Sequence, residues 1–152
     1  MARLLIVHHT PSPAMQELLA AVREGASQVD VVIAAEPALS ATAADVLAAD
    51  GVVLGTPANI GYMSGALKHF FDTVYYPVLE AARGMPFGLY VHGNNDTNGA
   101  ARAVDAITTG LGWRQVRPPV TIVAPPRAED VEQCRDLGGL VAFEAQQRAA
   151  DG

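Results

Sequence analysis

The chain has little of what marks secreted, membrane-spanning or nucleic-acid-binding proteins. Cys134 is its only cysteine, which excludes an intrachain disulfide. Charged residues make up 17% of the 152 residues, 10 of them Lys or Arg against 16 Asp or Glu. The basic residues are scattered, so there is no stripe to neutralise a phosphate backbone, and nucleic acid is not an expected partner. The net charge of −6 mainly serves solubility. No apolar run reaches the ~18 residues of a membrane helix, so membrane insertion is not expected. The N-terminal Met-Ala-Arg-Leu-Leu-Ile-Val passes directly into a predicted strand instead of forming a leader. The Gly-x-Gly-x-x-Gly and Walker A patterns are absent, as are internal repeats and linkers. One cytoplasmic domain, residues 1–152, is the expectation, with 50% hydrophobic residues to fill its core.

What is present alternates. Apolar strands are predicted at Arg3–His8, Val29–Ala35, Gly51–Gly55, Phe87–His92 and Val120–Ala124. Helical periodicity is predicted at Ala14–Ala26, Ser40–Ala49, Ser64 to about Tyr76, Asn98 to about Leu111, and Ala128–Ala149. Pro77 should end or kink the third helix, and Gly138-Gly139 should loosen the last. Strands apolar on both faces imply a parallel sheet covered by helices on both sides. Five such units predict an α/β three-layer sandwich with strand order 2-1-3-4-5 and a ligand site at the switch point beside strands 1 and 3. Three loops then matter: Thr10–Met15, Thr56–Ser64 and Gly93–Gly99.

The first loop, Thr10-Pro11-Ser12-Pro13-Ala14-Met15, leaves a strand and enters a helix. Such a junction can hold an anion through first-turn N–H groups and the helix dipole. Thr10 and Ser12 offer hydroxyls; Ala14, Met15 and Gln16 offer N–H groups; Pro13 suits the first helical position. Equally, Ser12 can be an ordinary N-cap. His8 and His9 are adjacent on a strand and point to opposite faces, and His69 and His92 sit on other elements, so no metal site is expected.

The segment from Asp50 to Asp72 is the most specific. It reads Asp50-Gly51, an apolar strand, Gly55-Thr56-Pro57, a short loop with Gly61, Met63-Ser64, Leu67-Lys68, two apolar residues, then Asp72. In this order the segment resembles the flavodoxin-like superfamily, in particular the NAD(P)H-dependent FMN reductases and NAD(P)H:quinone reductases. With the five βα units, the resemblance extends over almost the whole chain. Gly55-Thr56-Pro57 is expected to turn the chain sharply off the strand, and Asn59-Ile60-Gly61 to lie flat. The resemblance implies that Thr56, Pro57, Ala58, Asn59, Ile60 and Gly61 pack against the flavin ring. Gly61 admits close backbone approach. The resemblance also implies a phosphate loop at Thr10, Ser12, Ala14 and Met15. There Pro13, Ala14 and Met15 replace the family's Gly, Asn and Thr, so fewer hydrogen bonds and weaker binding are expected. Ser64 should cap the third helix, and Lys68 and Asp72 should form a surface pair.

The third loop is polar. By the same resemblance, His92, Gly93, Asn94 and Asn95 pair with the pyrimidine edge of the flavin, His92 near its N1 and O2. As plain turn chemistry, Thr97 or Asn98 would cap the fourth helix. Tyr62 is the best placed aromatic for stacking. Trp113 is expected in the core or an interface, and Cys134 is expected to pack. No catalytic side chain is expected, because a bound FMN would carry the chemistry. The implied activity is NAD(P)H-dependent reduction of a quinone, flavin or similar small-molecule electron acceptor through flavin N5. The alternatives are an electron carrier of flavodoxin type and a degenerate domain without flavin. Relatives of this kind are often dimers or tetramers, so a homodimer or homotetramer stays open.

Overall fold

A computed structural model describes all residues 1–152. The elements run β1 (Arg3–His8), α1 (Pro13–Ala26), β2 (Val32–Pro37), α2 (Ala43–Ala48), β3 (Gly51–Asn59), β4 (Tyr62–Met63), α3 (Gly65–Val78), β5 (Pro86–Gly93), α4 (Asn98–Leu111), β6 (Arg114–Gln115), β7 (Val120–Val123) and α5 (Ala128–Asp151). The parallel neighbours are β2-β1-β3-β5, with β6 and β7 both beside β5 and β4 antiparallel on β3. The fold is an α/β flavodoxin-like sandwich.

The sheet has seven strands where five were expected. The expected fifth strand is present as β7, and β6 is an added two-residue strand before it. β6 pairs with Pro86 and Phe87, and β7 pairs with Tyr90 to Gly93. Pro118 and Pro119 lie between them and have no N–H to continue a ladder. The other addition, β4, comes from the chain folding back on β3.

Side chains alternate across the sheet. Leu5, Val7, Val52, Leu54, Leu89 and Val91 face the layer of α2, α3 and α4. Leu4, Ile6, Val53 and Tyr90 face α1 and α5, together with Met15, Leu18 and Cys134. Trp113 is buried against Phe87, with ring centroids 6.0 Å apart. Pro77 does not stop α3 at Tyr76; the helix includes it as its last residue but one and ends at Val78. β2 starts at Val32, later than its β-branched run suggested, because Val29 and Val31 pack beneath the sheet layer instead of joining the ladder.

The last helix is not loosened at Gly138-Gly139; it is continuous from Ala128 to Asp151. Gly138 serves close approach. A Cβ at Gly138 would lie 2.0 Å from the Val22 carbonyl oxygen, and one at Gly25 would lie 1.8 Å from the Arg135 carbonyl oxygen. α1 and α5 therefore touch backbone to backbone. This holds α1, and the loop that feeds it, in a fixed position.

Candidate flavin site

The loops that follow β1, β3 and β5 meet at the carboxyl edge of the sheet. Pro57 pairs with His92 and Gly55 with Tyr90. A Cβ at Gly93 would sit 2.8 Å from the Asp96 carbonyl oxygen and 3.2 Å from the Ala58 side chain, so glycine lets the second and third loops pack together.

Gly55 does not turn the chain. β3 runs through Thr56, Pro57 and Ala58 to Asn59. The glycine is there for Tyr90, whose ring carbon Cζ would be 2.1 Å from a Cβ at position 55. Tyr90 is fully buried and its hydroxyl has no partner, and burial raises its pKa. Thr56 and Pro57 are buried as well. The Thr56 hydroxyl donates to the Pro57 carbonyl at 2.8 Å and accepts the Ser64 N–H at 3.0 Å. Ser64 caps α3 by accepting the Leu67 N–H at 3.2 Å. Thr56 is thus a clasp at the base of the loop.

Asn59-Ile60-Gly61 does not lie flat; it forms the tip of a β-hairpin in which Asn59 faces Tyr62. Ile60 has φ 49° and Gly61 has φ 73°, the pair of positive values that two-residue hairpin turns favour. For a β-branched residue that conformation costs on the order of 1–3 kcal/mol. The Ile60 side chain is fully exposed. The tip rests on the start of α4, where a Cβ at Gly99 would lie 2.0 Å from the Gly61 carbonyl oxygen. Tyr62 is partly exposed on β4.

A cleft of about 690 Å³ joins the first and third loops. Ser12, Pro13, Ala14, Glu17, His92, Asn94, Pro125 and Pro126 line it. Glu17, Pro125 and Pro126 were missed by sequence reasoning. The Pro-Pro pair directly after the last strand was the available signal, since that loop opens on the same sheet edge. Ala124 before it has φ 68°, although a residue preceding proline favours extended backbone. His92 secures this turn by donating its Nε2–H to the Ala124 carbonyl at 2.9 Å. That bond fixes the tautomer and leaves Nδ1 as the acceptor of the neutral ring. A second hollow of about 470 Å³, between α4 and the start of β5, is reached by none of the three loops except at Asn98.

In the first loop the structure uses several of the expected donors internally. Ser12 is the N-cap, with its Oγ accepting the Met15 N–H at 3.2 Å and its carbonyl accepting the Gln16 N–H at 3.0 Å. Met15 is wholly buried. The Thr10 hydroxyl is engaged by His8 Nδ1 at 2.7 Å. Asn94 and Asn95 are exposed. Thr97 stands at the N-cap of α4 without a side-chain bond. The Asp96 carboxylate accepts the Asn98 N–H at 2.9 Å instead. Lys68 and Asp72 form the expected exposed pair at 2.7 Å. Cys134 is buried, which pushes its thiol up to about 12 and leaves it inert.

His8 is half-buried, and burial, then Arg23 and His9, hold its pKa below the usual 6.5. The unfolded chain therefore binds more protons than the folded one as pH falls below 6.5. Stability is full above that value and declines as pH drops toward the folded-state pKa. Urea midpoints at mildly alkaline and mildly acidic pH should differ less for His8→Gln than for the parent; an equal acid loss in both would exonerate His8.

An α/β flavodoxin-like domain with three loops gathered at its switch point is a flavin-binding architecture in outline. The chain matches the family of NADPH-dependent FMN reductases over residues 29–125 and belongs to that family. The matched segment contains the second and third loops, whereas the first loop precedes it. The chain is also similar to a flavodoxin of Aquifex aeolicus, 33% identical over 75 residues that cover 49% of this chain and 40% of that one. A WrbA-like flavodoxin of Agrobacterium tumefaciens shares the fold with TM-score 0.80 and 20% identity, covering 97% and 99% of the two chains. The flavodiiron protein of Giardia intestinalis shares it with TM-score 0.86 and 14% identity, over 98% of this chain and 37% of that one. No helix is long and apolar enough to cross a membrane.

Proposed function

We propose that this chain is a flavin-dependent oxidoreductase that takes electrons from NAD(P)H and passes them to a small-molecule acceptor such as a quinone or a flavin. One observation carries this: the hairpin of β3 and β4 and the His92–Asn95 loop, both inside the segment matched to the family, pack into one wall at the switch point. The donor set there suits a flavin ring. Ala58, Asn59, Ile60 and Gly61 offer exposed backbone and one apolar side chain, and Gly93, Asn94 and Asn95 offer amide donors and acceptors. Ser12 and Ala14 bound the tail of the cleft, where Ala14 keeps a free first-turn N–H; Thr10 and Met15 do not line it.

A bound flavin supplies reversible electron and hydride chemistry; the protein's part is binding, orientation and electrostatics. Thr56 and Pro57 support the ring wall from below. His92, anchored through Nε2 to Ala124, keeps Nδ1 available to hold a proton close to the cleft. The flavodoxin match favours a second reading, an electron carrier without NAD(P)H oxidation.

Absorbance spectra before and after adding FMN and desalting test the first requirement, and flavin bands are expected. NADH and NADPH oxidation with a quinone then separates the two readings. Turnover well above the free-flavin background is expected; its absence in the flavin-loaded chain would leave the carrier. Size exclusion of the loaded chain reports whether it is a homodimer or homotetramer.

A further inference from the structure

Building on the flavin reading, we propose that the cleft recognises a flavin by its ring and tail hydroxyls and not by its phosphate, so that riboflavin binds as tightly as FMN, with Glu17 as the residue that sets this preference.

The argument starts with donors. A phosphate at a helix N-terminus is held by the first-turn N–H groups, through which the helix dipole also acts. In α1 these belong to residues 13 to 16. Pro13 has none, Met15 donates to Ser12 Oγ, and Gln16 donates to the Ser12 carbonyl. Only Ala14 remains. Upstream, Pro11 removes another N–H and the Thr10 hydroxyl is engaged by His8. Outside the helix, the N–H groups of Thr10 and Ser12 have no backbone acceptor, but they are flanked by prolines that separate them.

Charge acts in the same direction. A phosphate monoester carries about −1.5 to −2 at neutral pH. No lysine or arginine lines the cleft, whereas the Glu17 carboxylate does. His8, whose Nδ1 engages the Thr10 hydroxyl, has its pKa lowered by burial, then by Arg23 and His9. His92 already donates through Nε2. A dianion beside this exposed carboxylate, with no lysine or arginine in the cleft lining, is repelled, the more so at low salt.

The same lining suits an uncharged hydroxylated tail. The Glu17 carboxylate accepts hydrogen bonds, the Ser12 hydroxyl can donate while its lone pair caps the helix, and the Asn94 amide does both. Pro13, Pro125 and Pro126 give rigid apolar walls. A ribityl chain ending in a hydroxyl finds partners here that a phosphate does not.

The test is a titration of the purified chain with riboflavin and with FMN, followed by flavin fluorescence, at low and moderate ionic strength. Dissociation constants within about threefold of each other are expected, with FMN the weaker at low salt and converging on riboflavin as salt screens Glu17. Glu17→Gln should tighten FMN by about threefold or more and leave riboflavin within about twofold. Adding Pro13→Ala, which restores an N–H, should tighten FMN further. Because both changes predict a gain, misfolding cannot imitate the result. FMN binding more than about tenfold tighter than riboflavin to the parent chain would overturn the inference and leave the flavin reading intact. An E17Q chain with unchanged affinity for FMN would overturn the role given to Glu17. Binding of neither flavin would overturn the flavin reading and this inference with it.

Discussion

Gly138→Val is expected to destabilise the fold by about 3 kcal/mol or more, the upper range for overpacking a tight interior contact. The Cβ would enter the space of the Val22 carbonyl oxygen, 2.0 Å away. That atom is backbone in the middle of α1, so relief requires moving one helix off the other. Gly25, facing Arg135 at the same crossing, leaves no slack. The neighbouring glycine is the control. A Cβ at Gly139 meets its nearest atom at 3.4 Å, an ordinary contact. Gly139→Ala should therefore be neutral or stabilise by up to about 1 kcal/mol through helix propensity. Urea unfolding of the two variants checks both statements. Equal stabilities would mean that α1 and α5 do not meet as described.

Gly99→Val is expected to weaken flavin binding by about tenfold or more, ~1.4 kcal/mol, while the chain stays folded. Its side chain would displace the Gly61 carbonyl oxygen, 2.0 Å from the Cβ position, and lift the hairpin tip from α4. The hairpin projects beyond the main sheet, so the core is not asked to adjust. Far-UV circular dichroism and thermal unfolding establish the fold, and fluorescence titration reads the affinity. Gly65→Ala is the matched control, since a Cβ there meets nothing within 4 Å. Parent-like affinity in Gly99→Val would remove the hairpin tip from the flavin wall.

The sheet order and layers were legible because each principal strand is an apolar run too short to be a helix and each connection has helical period. The family pattern from Asp50 to Asp72 placed the second loop. What the pattern could not convey was geometry that depends on a distant neighbour. Gly55 looks like a turn residue until Tyr90 is seen lying across it. Gly138-Gly139 looks like a weak point until α1 is seen pressed against it. Asn59-Ile60-Gly61 gave no hairpin signal because isoleucine is a poor choice for positive φ; its place there is set by the β3–β4 pairing around it. The third loop was read from its position after a strand; Thr97 does stand at the N-cap of α4, but the side-chain bond there comes from Asp96, one residue earlier. Glu17 is unremarkable in sequence, one exposed residue in an amphipathic helix, and acquires meaning only when Pro125 and Pro126 close the opposite side of the cleft.

The double engagement of the Thr56 hydroxyl has a mechanical consequence. It ties the departing strand to the start of α3 at the point where the hairpin emerges, so bending is confined to the residues beyond it. The hairpin then stands as a short arm on a clamped mount, with its Gly61 tip seated against Gly99 at the start of α4. A flavin bound as proposed would therefore meet a wall with little ordering left to do.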